Sequence, residues 1–181
     1  MSAILTYALH YEGEFNKNSL GAVSEGGGLY LDPEAVRRLA MPEVALLTLA
    51  REEAAEVEAE VQRLRGRPTP ELGGCLVLLV DDGLMTGATA SAALQALRRQ
   101  RPGRLVLGAA VATPYALEVV RAAADTVHCV STQPGLRALS EAYDDFRPLP
   151  DVAVRQLLER SRESGLPREV LESTDSGGFW M

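Results

Sequence analysis

Hydrophobic and polar positions alternate between two periods along the chain, and their order predicts an α/β fold. Apolar runs typical of buried strands lie at 76–80, 105–112 and 126–130. A helical pattern follows the first run, and a second helix beginning near Pro114 and extending through Ala123 follows the second. Because strands alternate with helices, we expect a parallel sheet covered by helices, with ligands at the carboxyl ends of the strands.

The first forty residues predict short strands and a turn. A weakly alternating segment at 2–11 predicts a strand, and segments 20–25 and 26–31 predict a hairpin or flap around Gly26–Gly28. Three successive glycines can also cradle a phosphate, but a turn is favoured because no helix begins directly after them. Asp32 and Pro33 are typical of a helix start, as N-cap and first helical residue.

Two further helices are predicted from spacing. The longer one spans Glu43–Leu64, with one apolar stripe and a charged opposite face. The stripe contains Val44, Leu47, Ala50, Ala54, Val57, Val61 and Leu64. We expect it to pack on the sheet of its own chain, although a partner-binding helix has the same pattern. Asp151 can cap a last helix through Arg162. The chain is expected to form one domain, 1–165, followed by a C-terminal tail, 166–181.

Charge and cysteine content exclude several classes of function. A net charge of −7 in 181 residues disfavours bulk attraction to nucleic acid or to an anionic membrane. No signal peptide, transmembrane run or lipidation motif is visible, so we expect a cytoplasmic location. Cys75 and Cys129 each lie in apolar surroundings and are expected to be two reduced, buried thiols rather than a disulfide or metal site.

The chemistry is concentrated between Cys75 and Leu97. After the apolar run come two adjacent carboxylates, Asp81 and Asp82, then a loop of small residues and hydroxyls, and then a helix. A loop between a strand and a helix start presents free backbone N–H groups and the positive end of the helix dipole to an anion. Each part of the motif also has a structural alternative. The two carboxylates can be an ordinary acid pair near a helix start, and Thr86 or Thr89 can be a plain N-cap. The motif is neither a Walker loop nor a dinucleotide fingerprint.

The segment VDDGLMTGAT at 80–89 resembles the phosphoribosyl pyrophosphate signature of type I phosphoribosyltransferases. The resemblance extends over 21–146 to bacterial predicted phosphoribosyltransferases, which share the GAVSEGG segment at 21–27 and the segment YDDF at 143–146. It implies a parallel-sheet, Rossmann-like fold with helices on both faces and a small flap or hood. It also implies a cytoplasmic role in nucleotide metabolism.

The resemblance assigns a role to each part of the motif. Asp81 and Asp82 would hold the ribose 2′- and 3′-hydroxyls and place negative charge near a developing oxocarbenium ion. The 5′-phosphate would be bound by the loop residues Gly83, Met85, Thr86, Gly87, Ala88 and Thr89. Mg²⁺ would be held through the substrate near the two aspartates rather than by a set of protein ligands. Candidates for the side facing the base are Leu136, Ala138, Leu139, Tyr143 and Asp145, and packing roles are an equal alternative for Leu136 and Tyr143.

The first part of the chain departs from the family pattern. Relatives begin with an additional strand and a pyrophosphate-binding loop, neither of which is found in this sequence, and their next strand ends in a basic pair where this chain has Ala8 and Leu9. We therefore expect an intact half-site for ribose 5-phosphate and an incomplete one for pyrophosphate. Gly26–Gly28, Arg67 or another subunit are candidates to supply what is lost.

Three functions remain open. The first is an active transferase that uses phosphoribosyl pyrophosphate, or in reverse a nucleoside 5′-monophosphate, with Mg²⁺ and a nitrogenous base. The second is a regulatory module that binds phosphoribosyl compounds without turnover, and the third is a remnant retained for assembly. A homodimer is expected because a shortened sheet leaves an edge to cover. His128 is expected to be a core or face histidine, and His10 is a catalytic candidate without a partner.

Overall fold

The computed structural model describes residues 3–12, 17–64 and 71–163. Residues 4–148 form one compact unit, and the last helix belongs to a second unit. The predicted domain limits of 1–165 stay a prediction, and both the predicted tail and Arg67 lie outside the described residues. The strands are β1 (Thr6–Glu12), β2 (Lys17–Ser24), β3 (Gly28–Leu31), β4 (Leu76–Leu84), β5 (Arg104–Ala112) and β6 (Thr126–Thr132). The helices are α1 (Pro33–Leu39), α2 (Glu43–Leu64), α3 (Ala88–Arg99), α4 (Pro114–Arg121) and α5 (Asp151–Glu163).

The described strands form two three-stranded sheets, which confirms the α/β class. Strands β1, β2 and β3 are antiparallel in that order, whereas β4, β5 and β6 are parallel in that order. The predicted hairpin is present, with a 3₁₀ turn at Glu25–Gly27 between β2 and β3. Gly26 and Gly27 have φ of 71° and 78°, a region in which glycine avoids the steric cost of a side chain.

Helix α3 lies between the two sheets. On one side, Leu94 and Leu97 pack with Leu105 and Leu107 of the parallel sheet. On the other side, the backbone of α3 approaches β3 so closely that a Cβ at Gly28 would lie 2.0 Å from the carbonyl oxygen of Ala92. Burial on both sides explains why most of α3 is inaccessible to solvent.

Helix α2 covers the remaining face of the antiparallel sheet. Its buried residues are Leu46, Ala50, Val57 and Val61, which join Leu9, Leu20 and Val23 in one apolar cluster. The predicted stripe was wrong at its start, because Val44 is 77% exposed and Leu47 is 40% exposed. The first turn of α2 therefore buries Leu46, a position that the spacing argument had not selected.

The helix starts follow the predicted capping chemistry. Asp32 Oδ1 accepts hydrogen bonds from the backbone N–H groups of Glu34 and Ala35 at 2.9 and 3.0 Å, and Pro33 is the first residue of α1. Helix α4 likewise begins at Pro114, and the Thr113 hydroxyl accepts from the Ala116 N–H at 3.0 Å. Each cap satisfies N–H groups that a helix start leaves without an intrahelical acceptor.

One face of the parallel sheet is exposed. Helices α3 and α4 pack on the face that carries Leu105 and Leu107, whereas Leu78, Val80 and Val130 on the opposite face are 61%, 71% and 90% exposed. Among the described strands, β4 pairs only with β5, so its outer side is a sheet edge. This surface is the main apolar area that the described unit leaves uncovered.

The two cysteines differ from the prediction. Both are free, but Cys75 is exposed and Cys129 is half-buried. Cys75 lies in the turn before β4, where its N–H donates to the Leu72 carbonyl. A turn position at the start of an edge strand therefore exposes a residue whose apolar neighbours had suggested burial.

Helix α5 begins after Pro150, whose carbonyl accepts from the N–H groups of Ala153 and Val154. Val152 and Leu157 are exposed, and Leu158 is buried. None of the described helices is long and apolar enough to cross a membrane.

Candidate functional site

Strand β4 carries the two aspartates. The strand continues through Asp81 and Asp82 to Leu84, so the loop that was predicted to begin at Gly83 begins two residues later, at Met85. Pairing with β5 extends the strand, since Asp81 lies opposite Ala109 and Gly83 opposite Val111. The aspartates are therefore held in regular strand geometry, and consecutive side chains point to opposite faces of the sheet.

Asp81 is half-buried and forms a local hydrogen bond. Its Oδ1 accepts from the backbone N–H of Gly83 at 2.9 Å. The pKa of Asp81 is raised from 3.8 to about 6, mainly by burial and also by the neighbouring Asp82, while the hydrogen bond from the Gly83 N–H opposes the shift. A carboxylate that is harder to ionise than usual, at the carboxyl end of a parallel strand, is typical of a functional site.

The loop between β4 and α3 leads directly into a helix N-terminus. Gly87 precedes α3 with φ of 75°, and its backbone adopts the left-handed conformation. The N-cap of α3 is Gly87, so the alternative of a threonine N-cap was wrong, although the Thr86 hydroxyl does accept from the Ala88 N–H at 3.3 Å. The N-terminus of α3 nevertheless remains the positive end of a twelve-residue helix.

Thr113, at the end of β5, holds this loop in place. Its hydroxyl donates to the Met85 carbonyl at 2.8 Å, and its backbone N–H donates to the Leu84 carbonyl at 3.0 Å. The contact joins residues 28 positions apart, and the sequence analysis did not identify it. The only sequence signal was the Thr-Pro pair, which predicts a helix start and says nothing about a loop elsewhere.

A cleft of about 620 Å³ opens beside the aspartates on the exposed face of the sheet. Its lining includes Asp81, Asp82, His128 and Tyr143. Gly108, which also lines the cleft, lies in β5, the strand between β4 and β6. His128 is exposed on this face, one of the two positions expected for it. His10 is exposed in β1, next to an irregularity in the β1–β2 pairing.

The candidates for the base side do not all lie together. Tyr143 lines the cleft, and its ring packs against Phe146 with centroids 5.1 Å apart. Leu136 is half-buried in the turn after β6. The Asp145 carboxylate pairs with the Arg147 guanidinium, which holds the pKa of that carboxyl below its usual range. Neither Leu136 nor Asp145 is among the described residues that line the cleft.

Comparison with known proteins finds relatives that are named as phosphoribosyl transferases. No protein-family model matches the chain. Two curated relatives from Mycobacterium tuberculosis, named putative phosphoribosyl transferases Rv0571c and MT0597, are each 30% identical over 144 residues, a match that covers 79% of this chain. The match covers 32% of each relative, so the chain spans about a third of their length.

A solved structure is similar in both sequence and fold. The protein TT1426 from Thermus thermophilus is 34% identical, with a TM-score of 0.66, and the match covers 87% of this chain and 74% of that one. The fold, the acidic pair before a phosphate loop and these relatives together define a phosphoribosyltransferase-like protein. Over most of its length the chain is similar in sequence to putative phosphoribosyl transferases.

Proposed function

We propose that this chain binds a phosphoribosyl group at the β4–α3 loop and transfers it to or from a nitrogenous base. The donor would be phosphoribosyl pyrophosphate or, in reverse, a nucleoside 5′-monophosphate. The observation that carries this proposal is the half-buried Asp81 at the carboxyl end of a parallel strand, in the segment that leads to the left-handed Gly87 before α3.

The loop and the aspartates would bind different parts of the ligand. Backbone N–H groups at the start of α3, with the hydroxyls of Thr86 and Thr89, would receive the 5′-phosphate, and the helix dipole favours its negative charge. Asp81 and Asp82 would accept hydrogen bonds from ribose hydroxyls. Because the pKa of Asp81 is about 6, this carboxyl is mostly ionised above that pH, where both of its oxygens are free to act as acceptors only.

The residues present are compatible with Mg²⁺ only if the ion is bound jointly by protein carboxylates and substrate phosphates. No group of three or more His, Cys, Asp or Glu side chains in the described residues is placed to hold a metal. The Asp81 and Asp82 carboxylates are hard oxygen ligands, and Mg²⁺ is commonly bound by one or two carboxylates together with substrate phosphates. When bound, Mg²⁺ would neutralise charge on the pyrophosphate.

The transfer breaks the C1–O bond of the ribose and forms a C1–N bond to the base. The electron pair of the broken bond leaves with pyrophosphate, and positive charge builds on the ribose ring in the transition state. Carboxylates fixed at the ribose would stabilise that charge because their negative charge is already oriented before the reaction. Holding the 5′-phosphate would align C1 with the incoming base.

A second candidate function, binding without turnover, is favoured by Leu9. This residue occupies the position at which the family pattern has a basic residue, yet it is 1% exposed and belongs to the core cluster under α2. A buried leucine cannot neutralise a leaving pyrophosphate. Loss of such a charge costs orders of magnitude in rate and leaves ribose 5-phosphate binding unaffected.

Two measurements test the proposal. Ribose 5-phosphate and nucleoside 5′-monophosphates should raise the melting temperature of the chain, because they bind the native state. Asp81→Asn combined with Asp82→Asn should abolish the shift. Asp144→Asn combined with Glu118→Gln, which makes the same charge change at exposed positions, should preserve it. No shift with any of these ligands at millimolar concentration would contradict both candidate functions.

Pyrophosphate release then separates the two candidates. The assay uses phosphoribosyl pyrophosphate, Mg²⁺ and a panel of nitrogenous bases. Release that depends on a base supports transfer, whereas ligand binding without release supports the binding module.

A further inference from the structure

One peptide group in the candidate site is held from both ends. The Tyr143 hydroxyl donates a hydrogen bond to the carbonyl oxygen of Asp82. The N–H of the same peptide, which belongs to Gly83, donates to Asp81 Oδ1 at 2.9 Å. The peptide that joins Asp82 to Gly83 is thus bound by a residue from a distant segment and by the first aspartate of the pair.

The segment that carries Tyr143 is fitted to this part of β4. A Cβ at Gly83 would lie 2.3 Å from Leu139 Cδ2, so the leucine side chain occupies the space that any other residue at 83 would need. The Tyr143 ring also packs against Phe146. Leu139 and Tyr143 therefore contact the strand at adjacent residues, Gly83 and Asp82, and the Leu139 side chain would have to move if residue 83 carried a Cβ.

The orientation of this peptide affects the acidic pair, because the peptide N–H donates to the Asp81 carboxylate. Strand β4 has one neighbouring strand, β5, among the described strands, and a strand paired on one side has only part of its backbone groups held by the sheet. Tyr143 adds a hydrogen bond from outside the sheet. With the peptide fixed, the Gly83 N–H fixes one oxygen of the Asp81 carboxylate.

We infer that Tyr143 is a positioning residue that holds the Asp82–Gly83 peptide and through it orients the acidic pair for the ribose hydroxyls. The inference rests on the proposed function, since it assumes that ribose binds at Asp81 and Asp82. It gives Tyr143 a role distinct from contact with a base: the hydroxyl acts on the strand, and the phosphate loop is unaffected.

The test compares two ligands in three proteins. Tyr143→Phe removes the hydroxyl and keeps the ring. Tyr115→Phe is the matched control, because the Tyr115 hydroxyl also donates one hydrogen bond, to Asp32 Oδ2 at 3.1 Å, away from the acidic pair. Calorimetry at pH 7.5 should show ribose 5-phosphate binding to Tyr143→Phe about five-fold more weakly than to the wild type. Inorganic phosphate, which needs only the loop, should bind all three proteins alike.

A ligand-free measurement accompanies the titrations. Amide hydrogen exchange at Gly83 should be faster in Tyr143→Phe than in the wild type and unchanged in Tyr115→Phe. Unchanged exchange at Gly83 would overturn the inference whatever the ligands do. Equal weakening of both ligands would also overturn it, since that result indicates general loosening of the site.

The titrations separate the inference from the proposed function. If the wild type binds ribose 5-phosphate and Tyr143→Phe binds it equally well, the inference fails and the proposed function stands. If the wild type does not bind ribose 5-phosphate, the proposed function fails, and the role of Tyr143 in orienting the pair for ribose fails with it.

Discussion

Gly28 and Ala92 touch through their backbones: a Cβ on Gly28 would lie 2.0 Å from the Ala92 carbonyl oxygen and 2.9 Å from its carbonyl carbon. The contact places β3 directly on helix α3. No flexible side chain lies between the two elements, so a larger residue at 28 can be accommodated only by moving backbone.

Gly28→Ala should therefore destabilise the fold by about 1–3 kcal/mol, the range found for overpacking in a close-packed interior. Urea unfolding followed by circular dichroism measures this loss. Gly135→Ala is the control, because a Cβ at Gly135 meets no atom within 4 Å. Equal stability of the two variants would show that β3 does not rest on α3 in this way.

The stability of the chain should depend on pH through Asp81. Its pKa in the folded state, about 6, lies above the ordinary value of 3.8, so the native state binds this proton more tightly than the unfolded state does. The contribution of Asp81 is therefore most favourable below pH 4, decreases as the pH rises from 4 to 6, and stays unfavourable above 6.

Asp81→Asn removes this titration. The variant should gain stability relative to the wild type between pH 4 and pH 7.5, by on the order of 2 kcal/mol, as measured by urea unfolding at both pH values. The control is Asp144→Asn, at an exposed position. Its unfolding free energy should differ from that of the wild type by the same amount at pH 4 and at pH 7.5. A stability difference for Asp81→Asn that does not change with pH would contradict the raised pKa.

Thr113 should affect both stability and phosphate binding. Thr113→Val keeps the side-chain shape but loses the bond to the Met85 carbonyl and the cap of α4. We expect a loss of about 1–2 kcal/mol in unfolding free energy and several-fold weaker binding of inorganic phosphate, measured by denaturation and calorimetry. Thr113→Ser retains the hydroxyl and should behave like the wild type. Phosphate binding as tight in the valine as in the serine variant would show that Thr113 does not hold the loop.

The exposed sheet face should govern self-association. Leu78→Lys replaces a 61% exposed apolar side chain, so the unfolding free energy should change by less than about 0.5 kcal/mol, whereas association should weaken. Sedimentation velocity over a range of protein concentrations measures the association. Val44→Lys makes the same charge change at a 77% exposed position on α2 and should leave association unchanged. The homodimer stays a prediction, and equal effects of both variants would locate any association elsewhere.

Local chemistry made much of this fold predictable. Asp32 and Pro33 begin α1 as their capping preferences require, the bounds of α2 match the predicted Glu43–Leu64, and the chain turns at Glu25–Gly27, where the glycine segment predicted a turn. In each case the determining interactions lie within a few residues of one another. The acidic pair and the candidate phosphate loop could be recognised as one motif for the same reason, since they are continuous in sequence.

Contacts between distant segments set the limits of prediction. Strand β4 extends through Asp81 and Asp82 because β5 pairs with it, and nothing near the aspartates signals that partner. Thr113 and Tyr143 reach the site from 28 and 61 positions away. Cys75 is exposed because it precedes an edge strand, and edges are a property of the assembled sheet.

The burial of helix α3 on both sides has a thermodynamic consequence. Neither sheet can separate from α3 without exposing the small and apolar residues that the other sheet does not cover. The two sheets are therefore expected to melt in one cooperative transition, with α3 among the last elements to open to hydrogen exchange. The start of that helix is also the proposed phosphate site, so a ligand bound at one short loop would stabilise the two sheets together.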